Sequence, residues 1–277
     1  MSLILVSVCI IFLGCQPADE GTQNIEKLKR EAVQIQLGLK LTPEDVHGHL
    51  QLGAVYHKMG EHEKAIEEYQ NALRFDEQNA QAQNNLALVY MDMSLTEAAI
   101  EAFQKAIELE GDNPAFYNNF GYAHDAGNRF EMAVEAYKMA IELDPKFQDA
   151  YYNLAWAYQA EAQFDEAIKY YQGAIKLDTG DSDARYNLAE IYHETGQLNL
   201  AIREYEHALS FSPDDPEILY QIAAVYQKKG DILKMKEYLN LFLEYAVGMP
   251  EYEENVKNAL RMNESLEADN TEIQVNE

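Results

Sequence analysis

Residues 148–181 read QDAYYNLAWAYQAEAQFDEAIKYYQGAIKLDTGD, and the pattern of this stretch returns every 34 positions from residue 46 to residue 249. One position of the pattern holds a small residue in every copy, at Gly53, Ala87, Gly121, Ala155, Ala189 and Ala223. The residue three places further on is Tyr56, Tyr90, His124, Tyr158, Tyr192 or Tyr226. Self-similarity at a fixed period of this size is typical of repeat proteins. We therefore expect six stacked repeats instead of the two domains that a length of 277 residues suggests.

The second half of each copy carries two further series. An alanine recurs at Ala65, Ala99, Ala133, Ala167 and Ala201, and Met235 takes its place in the sixth copy. Four places later stand Tyr69, Phe103, Tyr137, Tyr171, Tyr205 and Leu239. Within the first copy, Ile66, Tyr69 and Leu73 have the spacing of an amphipathic helix, and Gly60 indicates a turn before it. Helix pairs this short cannot bury an apolar side alone, so the sequence predicts an all-α fold of stacked pairs.

This order of small, aromatic and alanine positions strongly resembles the tetratricopeptide repeat, whose unit also has 34 residues. Asp144-Pro145 and Ser212-Pro213 match the proline that closes the unit in that family. The resemblance implies a solenoid, which is a right-handed superhelix of antiparallel helix pairs.

Both ends of the repeat array are expected to carry an extra helix. Residues 25–45 resemble half a repeat, and Tyr252, Val256 and Leu260 are expected to lie on one face of a final helix that covers the sixth repeat. The predicted division of the chain is a signal peptide at 1–14, a linker at 15–24, a half repeat at 25–45, repeats at 46–79, 80–113, 114–147, 148–181, 182–215 and 216–249, a capping helix at 250–262 and a disordered acidic tail at 263–277.

The N-terminal segment reads as a targeting signal. Residues 3–13, LILVSVCIIFL, form an uncharged apolar run that as a helix is too short for a hydrocarbon core of about 30 Å. The run ends in Phe12-Leu13-Gly14-Cys15, which resembles the lipobox of bacterial lipoproteins. The resemblance implies lipidation of Cys15 and a place in the bacterial cell envelope, and Gln16 after the cysteine favours the outer membrane facing the periplasm. An ordinary cleaved signal or an N-terminal anchor is the alternative, since no Lys or Arg precedes the run.

Composition excludes several classes of function. A net charge of -27 repels phosphate backbones, so we expect no nucleic-acid partner, and a membrane contact only through the lipid anchor. Both cysteines lie in the first fifteen residues, which leaves the repeats without disulfides, cysteine-rich zinc sites or a cysteine nucleophile. The histidines His47, His49, His57 and His62 lack the four-residue spacing of two metal ligands on one helical face. We find no phosphate-binding loop or catalytic motif, and predict no enzyme activity, metal or cofactor.

In the tetratricopeptide family the first helix of each repeat lines a concave groove. One position of that helix holds an amide in every copy, at Gln51, Asn85, Asn119, Asn153, Asn187 and Gln221. Amides can pair with the backbone of an extended peptide, and aromatic rings supply rigid contact area. The predicted peptide-binding residues are Asn85, Asn119, Asn153, Asn187, Tyr122, Tyr152, Trp156, Tyr186 and Tyr220, with the amides facing water. Alternatively, the asparagines are a family habit that only hydrates or caps the groove.

The sequence therefore predicts a non-catalytic scaffold that binds a protein or peptide segment. The positions where chaperone-binding relatives carry Lys and Arg to clamp a terminal carboxylate hold Asn, Tyr, Ala and Glu here, so we expect a neutral or basic partner. Two alternatives remain at this point: a lipoprotein of pilus or secretion-system biogenesis, and an accessory subunit of an envelope enzyme.

Overall fold

The computed structural model describes residues 20–263, with side chains from Asn24 onward. The apolar run at 3–13, the expected lipidation at Cys15 and residues 264–277 of the tail expected at 263–277 lie outside the described residues. Within the described range every regular element is helical, which confirms the predicted all-α tetratricopeptide solenoid fold.

The helices follow one another in pairs. Their bounds are α1 Glu20–Leu41, α2 Val46–Lys58, α3 His62–Phe75, α4 Ala80–Asp92, α5 Thr96–Leu109, α6 Pro114–Ala126, α7 Phe130–Leu143, α8 Gln148–Ala160, α9 Phe164–Leu177, α10 Ser182–Glu194, α11 Leu198–Leu209, α12 Pro216–Lys229 and α13 Ile232–Ala246, then a 3-10 turn at Pro250–Tyr252 and α14 at 253–263. The described residues form two compact units, one that ends at Gly111 and one that begins at Asp112. We call them the N-terminal unit and the C-terminal unit.

Each unit has its own apolar core. In the N-terminal unit, Leu52, Tyr56 and Tyr69 are buried with Leu86 and Val89, so α2 and α3 share a core with α4. In the C-terminal unit one continuous core runs from Ala133 on α7 to Ala259 on α14. The alanines that recur in the second helix of the first five repeats are all fully buried, namely Ala65, Ala99, Ala133, Ala167 and Ala201. These are the positions at which the sequence predicted close helix packing.

The turn within each repeat also keeps the period. At this turn one residue of each repeat has a positive φ, and these residues are Gly60, Ser94, Asn128, Ala162, Gly196 and Gly230. The amide of the next residue donates to the carbonyl oxygen at the end of the first helix, as Glu61 does to Tyr56 and Gln163 to Tyr158, both at 2.9 Å. This left-handed residue satisfies carbonyls at the helix end and reverses the chain.

The first helix begins earlier than predicted. The linker was expected to continue to residue 24, whereas α1 begins at Glu20. The start of this helix was predicted from its first regularly spaced apolar residue, which is Ile25. The prediction was wrong because the helix continues for five residues before Ile25, where the sequence has no such spacing.

The C-terminal helix uses a different contact residue from the one predicted. Ala259 is 0% exposed and belongs to the core, whereas Leu260 is 47% exposed. Tyr252 and Val256 pack against this core as partly buried residues. Seven residues make almost two full turns at 3.6 residues per turn, so position 259 lies nearer the line of Tyr252 than position 260 does.

Candidate functional site

Two adjoining pockets in the C-terminal unit are built from the first helices of consecutive repeats. Both are lined by Tyr122 of α6 together with Tyr152 and Asn153 of α8. The first, which we call the aromatic pocket, has a volume of about 400 Å³ and is lined by Tyr122, Asp125, Ala126, Tyr137, Tyr152, Asn153 and Trp156. The second, the acidic pocket, has a volume of about 430 Å³ and is lined by Asn118, Tyr122, Gln148, Asp149, Tyr152, Asn153, Asp181 and Asp183. The structure therefore brings four of the predicted site residues together.

Helical spacing explains this arrangement. Tyr152 and Trp156 are four residues apart on α8, and Tyr122 and Ala126 are four apart on α6, so each pair lies on one face of its helix. Trp156 is 46% exposed and Tyr122 is 55% exposed, whereas Tyr152 is half-buried. The two outer rings are therefore accessible to a ligand, and Tyr152 forms the inner wall.

A buried carboxylate belongs to the aromatic pocket. Asp125 is only 8% exposed, and its Oδ2 accepts a hydrogen bond of 2.9 Å from the hydroxyl of Tyr137. Its other oxygen, Oδ1, is buried without a hydrogen-bond partner. Burial raises the pKa of Asp125 to about 6, although the hydrogen bond from Tyr137 acts in the opposite direction. Burial and the nearby carboxylate also raise the pKa of Tyr137.

The acidic pocket carries three carboxylates. Asp181 caps the N-terminus of α10 by accepting from the amide of Ala184 at 2.9 Å, and it also accepts from Nε2 of Gln148 at 2.5 Å. Asp149 and Asp183 are exposed at the same pocket. The pocket therefore presents negative charge next to the aromatic rings.

The amides do not simply face water as predicted. Nδ2 of Asn153 donates to Oδ1 of Asn118 at 2.9 Å, and Nδ2 of Asn187 donates to the hydroxyl of Tyr152 at 2.8 Å. Both asparagines are half-buried, and each bond joins the first helices of two successive repeats. The expectation failed because stacking brings each of these amides within hydrogen-bonding distance of the residue just before the amide position in the preceding repeat. The second N–H and the carbonyl oxygen of Asn153 are not used in its bond to Asn118, whereas Asn187 also makes a side-chain hydrogen bond with Tyr171.

The other predicted residues lie outside the two pockets. In the N-terminal unit, Oδ1 of Asn85 accepts from Nε2 of Gln81 at 2.7 Å, and in the C-terminal unit Asn119 is half-buried on α6. The ring of Tyr186 meets that of Tyr205 edge-on with centroids 5.5 Å apart, and the ring of Tyr220 lies 5.0 Å from that of Phe242. Both tyrosines are half-buried in helix contacts, so less of each ring is available than of Trp156.

Sequence reasoning missed Asp125 and Tyr137. The position of Asp125 is occupied one repeat later by Gln159, whose Oε1 accepts from the hydroxyl of Tyr171 at 2.9 Å. A polar residue directly after the recurring tyrosine or histidine of the first helix was the available signal. Such a residue can satisfy the hydroxyl of a buried core tyrosine in the same repeat.

Neither a metal site nor a membrane-spanning helix is found in the part of the chain that the structure describes. Residues 24–263 contain no group of three or more His, Cys, Asp or Glu placed to hold an ion. Nδ1 of the buried His49 lies 2.6 Å from Oε2 of Glu68, and its Nε2 lies 2.9 Å from the carbonyl oxygen of Pro43. None of the described helices has the length and apolarity needed to cross a bilayer.

Family models for the tetratricopeptide repeat match most of the repeat region. A model described as TPR repeat matches residues 56–94, 126–161 and 189–230. Three models described as tetratricopeptide repeat match 80–113, 148–181 with 216–246, and 170–203. No curated protein matches the sequence.

Several solved structures share the fold. The structure of PilW, described as a widely conserved type IV pilus biogenesis factor, is 21% identical, covers 78% of this chain and 98% of its own, and superposes with a TM-score of 0.67. MamA is 27% identical over 58% of this chain and 95% of its own, with a TM-score of 0.55. YrrB, described as a TPR protein with an unusual peptide-binding site, is 22% identical over 69% of this chain and 98% of its own, with a TM-score of 0.55.

Proposed function

The chain belongs to the tetratricopeptide repeat family, and from this we propose that it is a non-catalytic scaffold that binds an extended segment of a partner protein in the C-terminal unit. One observation carries the proposal: the aromatic pocket and the acidic pocket adjoin and share Tyr122, Tyr152 and Asn153. Two adjoining pockets can hold two side chains of one extended segment, and an extended segment is a common ligand of such surfaces.

The chemistry of the pockets favours a neutral or basic segment. Tyr122 and Trp156 offer amphipathic rings that keep about half of their surface in solvent, and such rings are enriched at protein interfaces. The carboxylates of the acidic pocket would repel an acidic partner. The second N–H and the carbonyl oxygen of Asn153, which the bond to Asn118 does not use, can pair with the backbone of the segment. A peptide-binding site is described for YrrB, and the likeness to that protein supports the fold alone.

Photo-crosslinking in intact cells tests where the partner binds. We expect a photoreactive amino acid at position 122 or 156 to give a specific protein adduct. The matched control is position 169, because Lys169 is exposed on the second helix of the same repeat. Equal adducts from the two positions and the control would refute the pocket as the binding site.

Calorimetry with a peptide of the segment that crosslinking identifies then measures how much the rings contribute to the free energy of binding. Trp156→Ala should weaken binding by about 1 to 3 kcal/mol, as expected for an aromatic interface residue, whereas Lys169→Ala should leave binding unchanged. We choose Trp156 over Asn153 because alanine at position 153 would also remove the bond to Asn118 and so change stability. Unchanged binding by Trp156→Ala would contradict the proposal.

We propose in addition that Cys15 is lipidated and anchors the scaffold in the bacterial envelope, facing the periplasm from the outer membrane. This proposal depends on the apolar run at 3–13 and the lipobox-like residues before Cys15. Metabolic labelling with a fatty acid should mark the wild-type protein and not the Cys15→Ser variant. The variant should also leave the membrane fraction, since one cysteine carries the whole anchor. Label on Cys15→Ser would refute the assignment.

A role in pilus or secretion-system assembly is the second candidate. The observation in its favour is the combination of a lipobox-like N-terminal segment with six repeats, whereas the likeness to PilW supports the fold alone. Deletion of the gene should then reduce surface pili or secreted protein, and complementation should restore them. A deletion strain with unchanged pili and secretion would exclude this candidate and leave the general scaffold role intact.

A further inference from the structure

We propose that the aromatic pocket recognises a cation, namely the ammonium or guanidinium group of a Lys or Arg side chain in the partner segment. This inference rests on the proposed function and specifies which partner side chain the pocket takes. It would make the pocket the part of the surface that selects the sequence of the segment.

The walls of the pocket have the chemistry that a cation requires. Tyr122, Tyr152 and Trp156 contribute three aromatic rings, whose faces carry negative charge density and attract cations. No Lys, Arg or His is among the residues that line it, so a cation would meet no positive charge there. The volume of about 400 Å³ leaves room for a long side chain with its methylene groups against the rings.

A buried carboxyl group also lines the pocket. Asp125 is buried beside the rings, and one of its two oxygens has no hydrogen-bond partner while the other accepts from Tyr137. A carboxylate left half-satisfied in the interior is costly, and a nearby cation would offset that cost. Asp125 is therefore a second observation, independent of the rings, that points to a positive ligand.

The surroundings strengthen the same preference. The acidic pocket places Asp149, Asp181 and Asp183 directly beside the aromatic pocket, and the whole chain has a net charge of -27. This field attracts a basic segment and repels an anionic one. An apolar side chain could also contact the rings, but it would leave the unpartnered oxygen of Asp125 as it is. The charge of the pocket therefore favours a cationic side chain over an apolar one.

The single tryptophan of the chain makes the pocket directly observable. Trp156 is the one tryptophan in the sequence, so intrinsic tryptophan fluorescence reports on this pocket alone. The probe is n-butylammonium chloride, which carries the end group of lysine, and the neutral control is 1-butanol at matched ionic strength. We expect a saturable change with the amine at a dissociation constant about fivefold to tenfold lower than with the alcohol. Equal saturation by both probes, or no saturable change with the amine, would overturn the proposal.

Asp125→Asn tests the contribution of the carboxylate. Asparagine has nearly the same shape and its carbonyl oxygen can accept from Tyr137, so the variant removes charge with little change of structure. It should bind the amine several-fold more weakly and the alcohol as the wild type does. Asp165→Asn, at an exposed acid of α9, is the matched control and should change neither titration. Unchanged amine binding by Asp125→Asn would refute the role of the carboxylate, and a thermal melt of each variant shows that it is folded.

The outcome of the amine titration can be distinguished from the outcome of the crosslinking test of the scaffold proposal. If position 156 gives crosslinks in cells while the amine shows no preference over the alcohol, the cation inference fails and the scaffold proposal stands. If the amine binds selectively while positions 122 and 156 give no adducts, the scaffold proposal fails at this pocket and the inference loses its partner segment.

Discussion

The ring of Tyr137 lies directly against the backbone of Gly121: a Cβ placed on Gly121 would be 2.6 Å from Cε1 of that ring. The same relationship holds in the N-terminal unit, where a Cβ on Gly53 would be 2.6 Å from Cε1 of Tyr69. Tyr137 is fully buried, and its hydroxyl is held by Asp125. The ring therefore has no simple way to make room.

Gly121→Ala is expected to destabilise the C-terminal unit. Alanine is favoured over glycine within a helix by up to about 1 kcal/mol, but the added methyl must displace a buried and hydrogen-bonded ring. Overpacking a core of this kind costs about 1 to 3 kcal/mol, so we expect a net loss of about 1 kcal/mol. Thermal unfolding followed by circular dichroism measures the difference.

Gly173→Ala is the matched control. A Cβ on Gly173 would be just as close to a tyrosine ring, at 2.6 Å from Cδ1 of Tyr151. Tyr151 is only half-buried, so its ring can move toward solvent and the helix preference for alanine should then decide. We expect unchanged or slightly higher stability, and an equal loss in both variants would contradict this account.

Ala162→Gly should stabilise the fourth repeat. Ala162 has a φ of 54°, in the left-handed region, whereas the equivalent residue of the fifth repeat, Gly196, is a glycine with a φ of 77°. A left-handed conformation costs a residue with a Cβ about 1 to 2 kcal/mol relative to glycine. We expect a gain of about 1 kcal/mol for Ala162→Gly and a loss of similar size for Gly196→Ala, both measured by chemical unfolding. A loss with Ala162→Gly would show that chain entropy outweighs strain at this turn.

The recurring residues were enough to predict the helices, but not the hydrogen bonds between them. Ala167 and Tyr171 recur as part of fixed series, so their burial followed from the period alone. Asn153 and Asn187 recur as well, yet whether an amide faces water or the neighbouring repeat depends on distances across a stack that a linear pattern does not contain. A recurring position thus predicts the burial of an apolar side chain, but it does not predict the hydrogen-bond partner of a polar one.

The turn conformation and the role of Asp125 in the aromatic pocket could not be predicted from the sequence for a related reason. The left-handed residue of each turn is a glycine in three repeats and Ser94, Asn128 or Ala162 in the others, so residue type alone does not reveal the conformation. Asp125 looked like one acid among many, because burial is a property of the folded chain. Leu260 was assigned to the core because it follows Tyr252 and Val256 at steps of four residues, and two such steps overshoot two full helical turns.

A buried ion pair joins the two helices of the fifth repeat. Nη1 of Arg185 on α10 lies 3.0 Å from Oε2 of Glu204 on α11, and both side chains are largely buried. Arg203 contacts the other carboxylate oxygen of Glu204 at 2.8 Å. Removal of one partner leaves an uncompensated charge in the interior, which costs more than the intact pair contributes.

Arg185→Met is therefore expected to lower the free energy of unfolding by about 3 kcal/mol, the low end for a broken buried pair, because Arg203 keeps its contact. The double variant Arg185→Met/Glu204→Met should recover most of that loss, because no buried charge is left unpaired. Lys257→Met, which breaks an exposed pair with Glu253, should cost less than about 1 kcal/mol. A double variant as unstable as Arg185→Met would show that packing, and not charge, is responsible.

The buried carboxylate of Asp125 should make stability fall as pH rises from about 4 to about 6. In the unfolded chain this group ionises near its ordinary pKa of 3.8, whereas in the folded protein burial raises the pKa to about 6. Between these values the folded state holds the proton more often than the unfolded state does, so each increase in pH favours unfolding. The stabilisation is complete below the unfolded pKa and is lost as pH passes the folded one.

Asp125→Asn removes this titration while it keeps an acceptor for Tyr137. The melting temperature of the variant minus that of the wild type should therefore increase between about pH 4 and pH 6 and stay constant above. Subtraction cancels the other titrating groups, including Glu190, whose pKa is also raised by burial. Asp165→Asn, at an exposed acid, should give a difference that does not follow this window. A difference for Asp125→Asn that is the same at every pH would mean that the carboxylate is solvated in the folded protein, because only a desolvated group resists ionisation up to about pH 6.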